Sequence, residues 1–376
     1  MTTPLDLADA DDATAPAWLR ACFRFLFAAV DPTGLGFMRI CCGLLVFYNT
    51  LVYSYDLMSY VGPNSWLDVP TQNYLRKEYP VVYPPDNWSD PVRVEKEGSF
   101  LWSIFYHVRD PFWVVAIHVS ILIVLLLFTA GLWTRVTSVL AWIGAMQYVE
   151  RVQTQLFGQD TMLIILLLYL MIGNSGAALS VDRWLELRRE RREQGRRANL
   201  TLKPSWSANL ALRLVQVHFA IIYLVSGSSK LLGAAWWNGT ALWLCLANYN
   251  FAPMRVGLYD QALIFLCNYR PLWEICLTSG VVFTLFTEIG FPFLVWGRQL
   301  RPFMVTCSIL LHLGIGLVMG LTVFSLLMLT MGLAFVPPDV MRVFVDDLLG
   351  KLRGWFQAKT APPAAARKDE LVLSRT

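Results

Sequence analysis

Residues 223–242 read YLVSGSSKLLGAAWWNGTAL. The stretch closes an apolar run, thins to serine and glycine, and then sets Lys230 beside two leucines. With the residues before it, window 208–230 is long enough to cross a ~30 Å hydrocarbon core at 1.5 Å per residue. A lone ammonium there is costly, and implies a buried partner or a water-filled cavity. Trp236 and Trp237 read as interfacial aromatics. Asn238-Gly239 turns the chain into a second apolar run, 240–247, read as a short re-entrant helix.

Working outward, further apolar windows occur at about 34–54, 112–133, 136–153, 158–178, 271–297, 302–320 and 321–337. Composition agrees: 56% of the 376 residues are hydrophobic and 15% charged, against about a quarter charged in soluble proteins. The expected fold is an all-α integral membrane bundle of about eight transmembrane helices, with an extracytoplasmic cap and interfacial helices at both ends. The domains expected are a flexible N-terminus over 1–16, a transmembrane domain over 17–338, an interfacial amphipathic helix over 339–357 and a disordered tail over 358–376. The acidic opening segment lacks a signal peptide's basic start. KDEL occurs in the tail, but not at the terminus where a retention signal is read.

Short-loop arginines and lysines set the orientation. The connection DRWLELRRERREQGRRANLTLKP, residues 182–204, is strongly basic and is expected in the cytoplasm. Both termini then fall on that side, and segments 55–111 and 231–270 fall outside. The expected location is a bacterial inner membrane. The basic run is read as a topology signal in contact with lipid headgroups, not as a nucleic-acid site. The seven cysteines form no CxxC pair, and no metal site is expected.

The ionisable residues within spans are Arg39, His118, Asp160, Arg213, His218, Lys230, Glu288 and His312. Arg39 and Arg213 lie near the cytoplasmic ends of their spans and are expected to snorkel. His118 and His218 are read as structural histidines. Lys230 lies about 22 residues, roughly 33 Å, along its span from the inner end. Asp160 opens an antiparallel span at a similar outer level, so the pair is expected to share one cavity. Their pairing reads either as a structural salt bridge or as a carboxylate that positions a lysine base. Gln216, Tyr223, Gly227 and Lys230 fall on one helical stripe, and Ser226 to Ser229 leave room beside the ammonium. Tyr223, Ser226, Gly227 and Trp237 are the expected cavity lining. Glu288 and His312, each roughly 13–15 Å from the inner end of its span, are expected to form an inner polar pair. Pro292 should kink the helix that carries Glu288.

These stretches carry a family resemblance. FMRICCGLL, GPNSW, LSVDRW, YLVSGSSKLLGAAWWNGTAL, TEIGFPFLVWGRQLRP and HLGIGLVMGLTVFSLLML occur in an order that resembles the horizontally transferred transmembrane (HTTM) domain family. This is the membrane core shared with vitamin K-dependent gamma-carboxylase. The resemblance implies a reduced-quinone cofactor and a lysine base, which falls on Lys230. It also implies quinol oxygenation coupled to carboxylation, a lyase-like activity. Asp160 stands where the carboxylase has a functional histidine, and recognition of a protein substrate would need a partner. Two functions stay open: a quinone-linked carboxylase- or epoxidase-like enzyme, and a non-catalytic membrane protein that holds a lipid, a quinone or a partner protein.

Overall fold

A computed structural model describes residues 16–68, 71, 81–83, 93–95, 102–195, 202–248 and 257–360. Apart from one antiparallel strand pair, Val81–Tyr83 with Arg93–Glu95, the described residues form helices and the turns between them. The main helices are α1 (Ala17–Phe27), α2 (Thr33–Val52), α3 (Pro111–Ala130), α4 (Thr134–Arg151), α5 (Gly158–Ile172), α6 (Val181–Gln194) and α7 (Trp206–Lys230). They continue as α8 (Ala241–Leu246), α9 (Gly257–Asn268), α10 (Arg270–Leu294), α11 (Arg301–Val318), α12 (Thr322–Gly332) and α13 (Pro338–Thr360).

A helix accompanies each of the eight apolar windows. Five segments are long and apolar enough to cross a bilayer: Thr33–Val61 and helices α3, α7, α10 and α11. Helices α5 and α12 are apolar but shorter, with 15 and 11 residues. Helix α4 is long enough but carries Arg135, Glu150 and Arg151. The chain is a multi-pass membrane protein.

Local chemistry fixes the ends of the helices. Asp110 accepts from Phe112 N at 2.8 Å, with Pro111 in the first turn of α3. Gly131, at φ 73°, ends α3 in the left-handed region. Ser180 and Ser205 cap α6 and α7. Between α3 and α4, Asp182 accepts from Trp133 N, Thr134 N and Thr134 Oγ1 at 2.7–2.8 Å.

The arginines do not snorkel as expected. Arg39 is fully buried. Its guanidinium donates to the carbonyls of Ser175 (2.6 Å), Ala178 (3.2 Å) and Leu179 (2.5 Å). A buried fork meeting three carbonyls costs less than one dragging its headgroup through apolar neighbours. Arg213 lies over the Phe25 ring and donates to Phe25 O and Gln216 Oε1, tying α1 to α7.

At the opposite end, Arg151 donates to Gly62 O, Leu67 O and Ser65 Oγ. Ser103 Oγ and Tyr106 OH donate to the Gln147 and Glu150 carbonyls. Both flanks of the segment expected as an outer cap are therefore pinned to the end of α4. Most of its interior, between 69 and 101, lies outside the described residues, as do 1–15, the 196–201 portion of the basic connection and the 361–376 tail. The run expected as a re-entrant helix forms α8 after Gly239, at φ 71°, and packs on α10 through Trp243 and Trp273. Helix α13 meets α2 through Phe344 against Phe37, while Arg342 reaches Asp31 at 3.3 Å.

Candidate functional site

Helices α7 and α10 approach at Gly227. A Cβ there would lie 2.8 Å from Ile289 Cγ1 and 3.1 Å from Glu288 Cβ, so only glycine lets the backbones come this close. This approach sets Lys230 against Glu288. The ammonium donates to Glu288 Oε1 at 2.9 Å and lies 2.7 Å from Oε2. It also donates to Ser226 Oγ at 2.7 Å, and Ser226 in turn donates to Glu288 Oε1 at 3.2 Å. Trp236 lies over Lys230, 5.4 Å from ammonium to ring centre. The side chains are largely withdrawn from solvent, 23% exposed for Lys230 and 10% for Glu288.

About two turns from Lys230 along α7, Tyr223 is 2% exposed. Its hydroxyl meets Ser308 Oγ and His312 Nε2, each at 2.8 Å. Its ring stacks on Phe219 and lies 4.8 Å from Phe291. His312 Nδ1 has no partner, nor do Thr287 Oγ1, beside Glu288, or Ser325 Oγ, packed against Gly316. Phe324 lies 5.7 Å from His312 and also lines an apolar cavity of about 320 Å³ with Phe157, Leu321 and Val323.

The partners thus differ from those expected. Lys230 pairs with Glu288, not Asp160. Asp160 caps its own helix: Phe157 N donates to Oδ2 at 2.9 Å and Asn49 Nδ2 to Oδ1 at 2.9 Å. The expected Glu288–His312 bond is replaced by separate partners, Lys230 and Ser226 for the carboxylate, Tyr223 for the imidazole. Tyr223 is buried inside the bundle. Trp237 is 71% exposed and donates to Leu231 O; the indole over the ammonium belongs to Trp236.

The cause is side-chain direction. Helical side chains lean toward the helix N-terminus. On antiparallel α7 and α10, Glu288 lies level with Gly227, one turn from Lys230, and the two side chains lean toward each other and meet. Ser308 was missed. It lies four residues before His312, hence on the same helical face, and that spacing could have revealed it.

A second polar cluster lies among α2, α3, α4 and α5. Ser54 Oγ contacts His118 Nε2 at 2.7 Å, and His118 Nδ1 contacts Tyr148 OH at 2.6 Å. Tyr53 stacks on Tyr148. Here both imidazole nitrogens and both Asp160 oxygens have partners. Among the described residues no group of His, Cys, Asp and Glu is arranged to hold a metal ion.

The HTTM domain family profile matches residues 84–340, and the chain belongs to that family. No curated protein and no solved structure matches it.

Proposed function

We propose that this HTTM-domain protein is a membrane enzyme that moves a proton at Lys230 Nζ, acting on a quinone-class cofactor. The observation that carries the reading is the shielded Lys230–Glu288–Ser226 triad under Trp236. The residues present suit such a group. The apolar cavity beside Phe324 would take a hydrocarbon ring or tail, and His312, whose Nδ1 is unpaired, lies on the other side of Phe324. A reduced quinone, when bound, would supply the oxygenation chemistry for carboxylation or epoxidation.

The chain's own part is proton handling. Lys230 can pass a proton to Glu288 across their 2.7 Å contact, leaving a neutral amine beside a neutral acid. The amine can then accept a proton from an acidic hydroxyl held against it. Ser226 fixes the direction of the amine. Asp160 has no place in this step and acts by capping α5.

The accompanying topology has eight crossings, both termini in the cytoplasm of a bacterial cell, and the segments after α2 and α7 as an outer cap. A cysteine introduced at Gly195 should label only from the cytoplasm; labelling from outside reverses the orientation.

A second reading follows from a different observation: the ammonium is already bonded to Ser226 Oγ and Glu288 Oε1, with Oε2 in ion-pair contact at 2.7 Å. A closed pair of this kind also suits a non-catalytic protein that holds a lipid, a quinone or a partner protein. An oxygenation assay separates the two. Purified protein with a reduced naphthoquinone and oxygen should give the quinone epoxide. Lys230→Ala and Lys230→Arg should give none, since guanidinium keeps its proton. Quinone binding without epoxide in the wild type would favour the binding protein.

A further inference from the structure

We propose that the end of the bundle carrying α6 holds a binding site for the phosphate headgroup of an anionic phospholipid. Four connections converge there around a cavity of about 670 Å³: the start of α4, the turn after α5, the first turns of α6 and the entry to α7. Trp133, Arg135, Asn174, Asp182, Glu186 and Lys203 line it. A groove of about 350 Å³ shares Thr134, Arg135 and Asn174 with it and runs up past Ser138, Ser175 and Ser207 to Leu170 and Ile172.

The charged side chains that line the cavity, Arg135, Arg183 and Lys203 against Asp182 and Glu186, leave it net positive. Asp182 is saturated by two backbone N–H groups and the Thr134 hydroxyl. Glu186 is bonded to Arg183 at 2.7 Å. Arg135 and Lys203 have no ion-pair partner among the described residues, and they outnumber the one remaining carboxylate, Asp182. Ser175, only 2% exposed, lines the groove, and its Oγ has no hydrogen-bond partner. A buried hydroxyl without a partner is rare, and a phosphate oxygen would satisfy it.

The backbone is also strained here. Trp133 and Asn174, at φ 48° and 50°, are two of the three non-glycine residues in the left-handed region among those described, and both line the cavity. Such strain persists where surroundings over-determine it, as at ligand clamps. A lipid fits better than a free anion because the polar cavity opens into the groove. Ile172 is 43% exposed at that groove, and Trp133 is 70% exposed at the cavity rim. That places a headgroup among the cations and a chain along α5.

Native mass spectrometry of the full-length protein tests this with dioleoylphosphatidylglycerol, dioleoylphosphatidylcholine and inorganic phosphate. The wild type should retain phosphatidylglycerol in preference to phosphatidylcholine. Arg135→Gln with Lys203→Gln should weaken that retention roughly thirtyfold, the effect expected of two surface cations. Ser175→Ala should weaken it about three- to tenfold, as for one lost hydrogen bond. Arg191→Gln with Arg192→Gln, on exposed positions of α6, should leave it unchanged. Equal retention of the two lipids by the wild type overturns the site without recourse to any variant. Undiminished phosphatidylglycerol retention in the Arg135/Lys203 variant also overturns it. Inorganic phosphate that displaces phosphatidylglycerol at comparable concentration would make the ligand a soluble phosphate and reject the lipid.

Discussion

The Asp160–His118 cluster and the Lys230–His312 cluster use the same kinds of residue on opposite sides of the bundle, and they differ in what is left over. In the first, Asn49 and Phe157 N occupy the carboxylate, while Ser54 and Tyr148 occupy the imidazole. In the second, a charged pair sits under an indole, and His312 Nδ1, Thr287 Oγ1 and Ser325 Oγ go unpaired. A saturated network gains rigidity and has no free group to offer a ligand. An unsaturated one keeps a standing cost of about 1–3 kcal/mol per unpaired group. On the proposed function, this difference separates the cluster read as structure from the one read as site.

The largest effect should come from breaking the charged pair on one side. Lys230→Met alone strands Glu288 and should cost about 3–5 kcal/mol in unfolding experiments in detergent. Combining it with Glu288→Leu should restore most of that loss, because an apolar pair replaces the buried charges. Turnover should be absent in both. Additive costs in the double variant would mean the two side chains do not act as a pair.

His118→Ala should come next, at about 2–3 kcal/mol, through the cavity left and the lost partners of Ser54 and Tyr148. Its folded fraction should keep full turnover and quinone binding. Loss of turnover at intact fold would erase the distinction between the clusters.

Gly227→Ala sharpens the comparison from the backbone side. The new methyl would meet Ile289 and Glu288 at 2.8 and 3.1 Å, costing about 1–3 kcal/mol. Spreading α7 from α10 should lower turnover more than stability, read as kcat against melting temperature. Gly43 abuts Thr129 in the other half of the bundle, and a matching Gly43→Ala should reduce stability only.

Smallest is Tyr223→Phe, at about 1 kcal/mol for the lost hydroxyl bonds. It leaves His312 with neither ring nitrogen bonded. Its effect on turnover, measured against its small effect on melting, reports whether His312 belongs to the site.

Depth was legible for Lys230 and Asp160 but not for Glu288, whose Cβ lies level with Gly227, and direction around the helix was not legible. Counting from the basic connection puts Lys230 and Asp160 at similar levels on antiparallel helices, and the Tyr169–His218 contact agrees with that register. Yet Asp160 faces Asn49 and Phe157, while Lys230 faces Glu288. A 3.6-residue period gives the stripe on which a residue lies, but not the helix that stripe will meet. Counting Glu288 from the end of its own span misplaced it, because α7 and α10 are offset along their axes and bring Glu288 level with Gly227, one turn from Lys230. Trp236 and Trp237 are adjacent in sequence, so no pattern could tell which indole would cover the ammonium. Arg39 failed for a related reason. Its acceptors are main-chain carbonyls of a strained turn, and carbonyls leave no mark in a sequence.

That buried arginine has a consequence for biogenesis. Its first carbonyl acceptor lies 136 residues downstream, roughly 7–27 s of synthesis at 5–20 residues per second. The hypothesis is that α2 reaches the bilayer as a helix with an unanswered charge and stays at the insertion machinery until the turn after α5 emerges. Ribosome-stalled chains ending before Ser175 should crosslink to the translocon through α2, and chains ending well beyond Leu179 should release it. Equal crosslinking at both lengths would show that the early helix leaves without waiting for its lock.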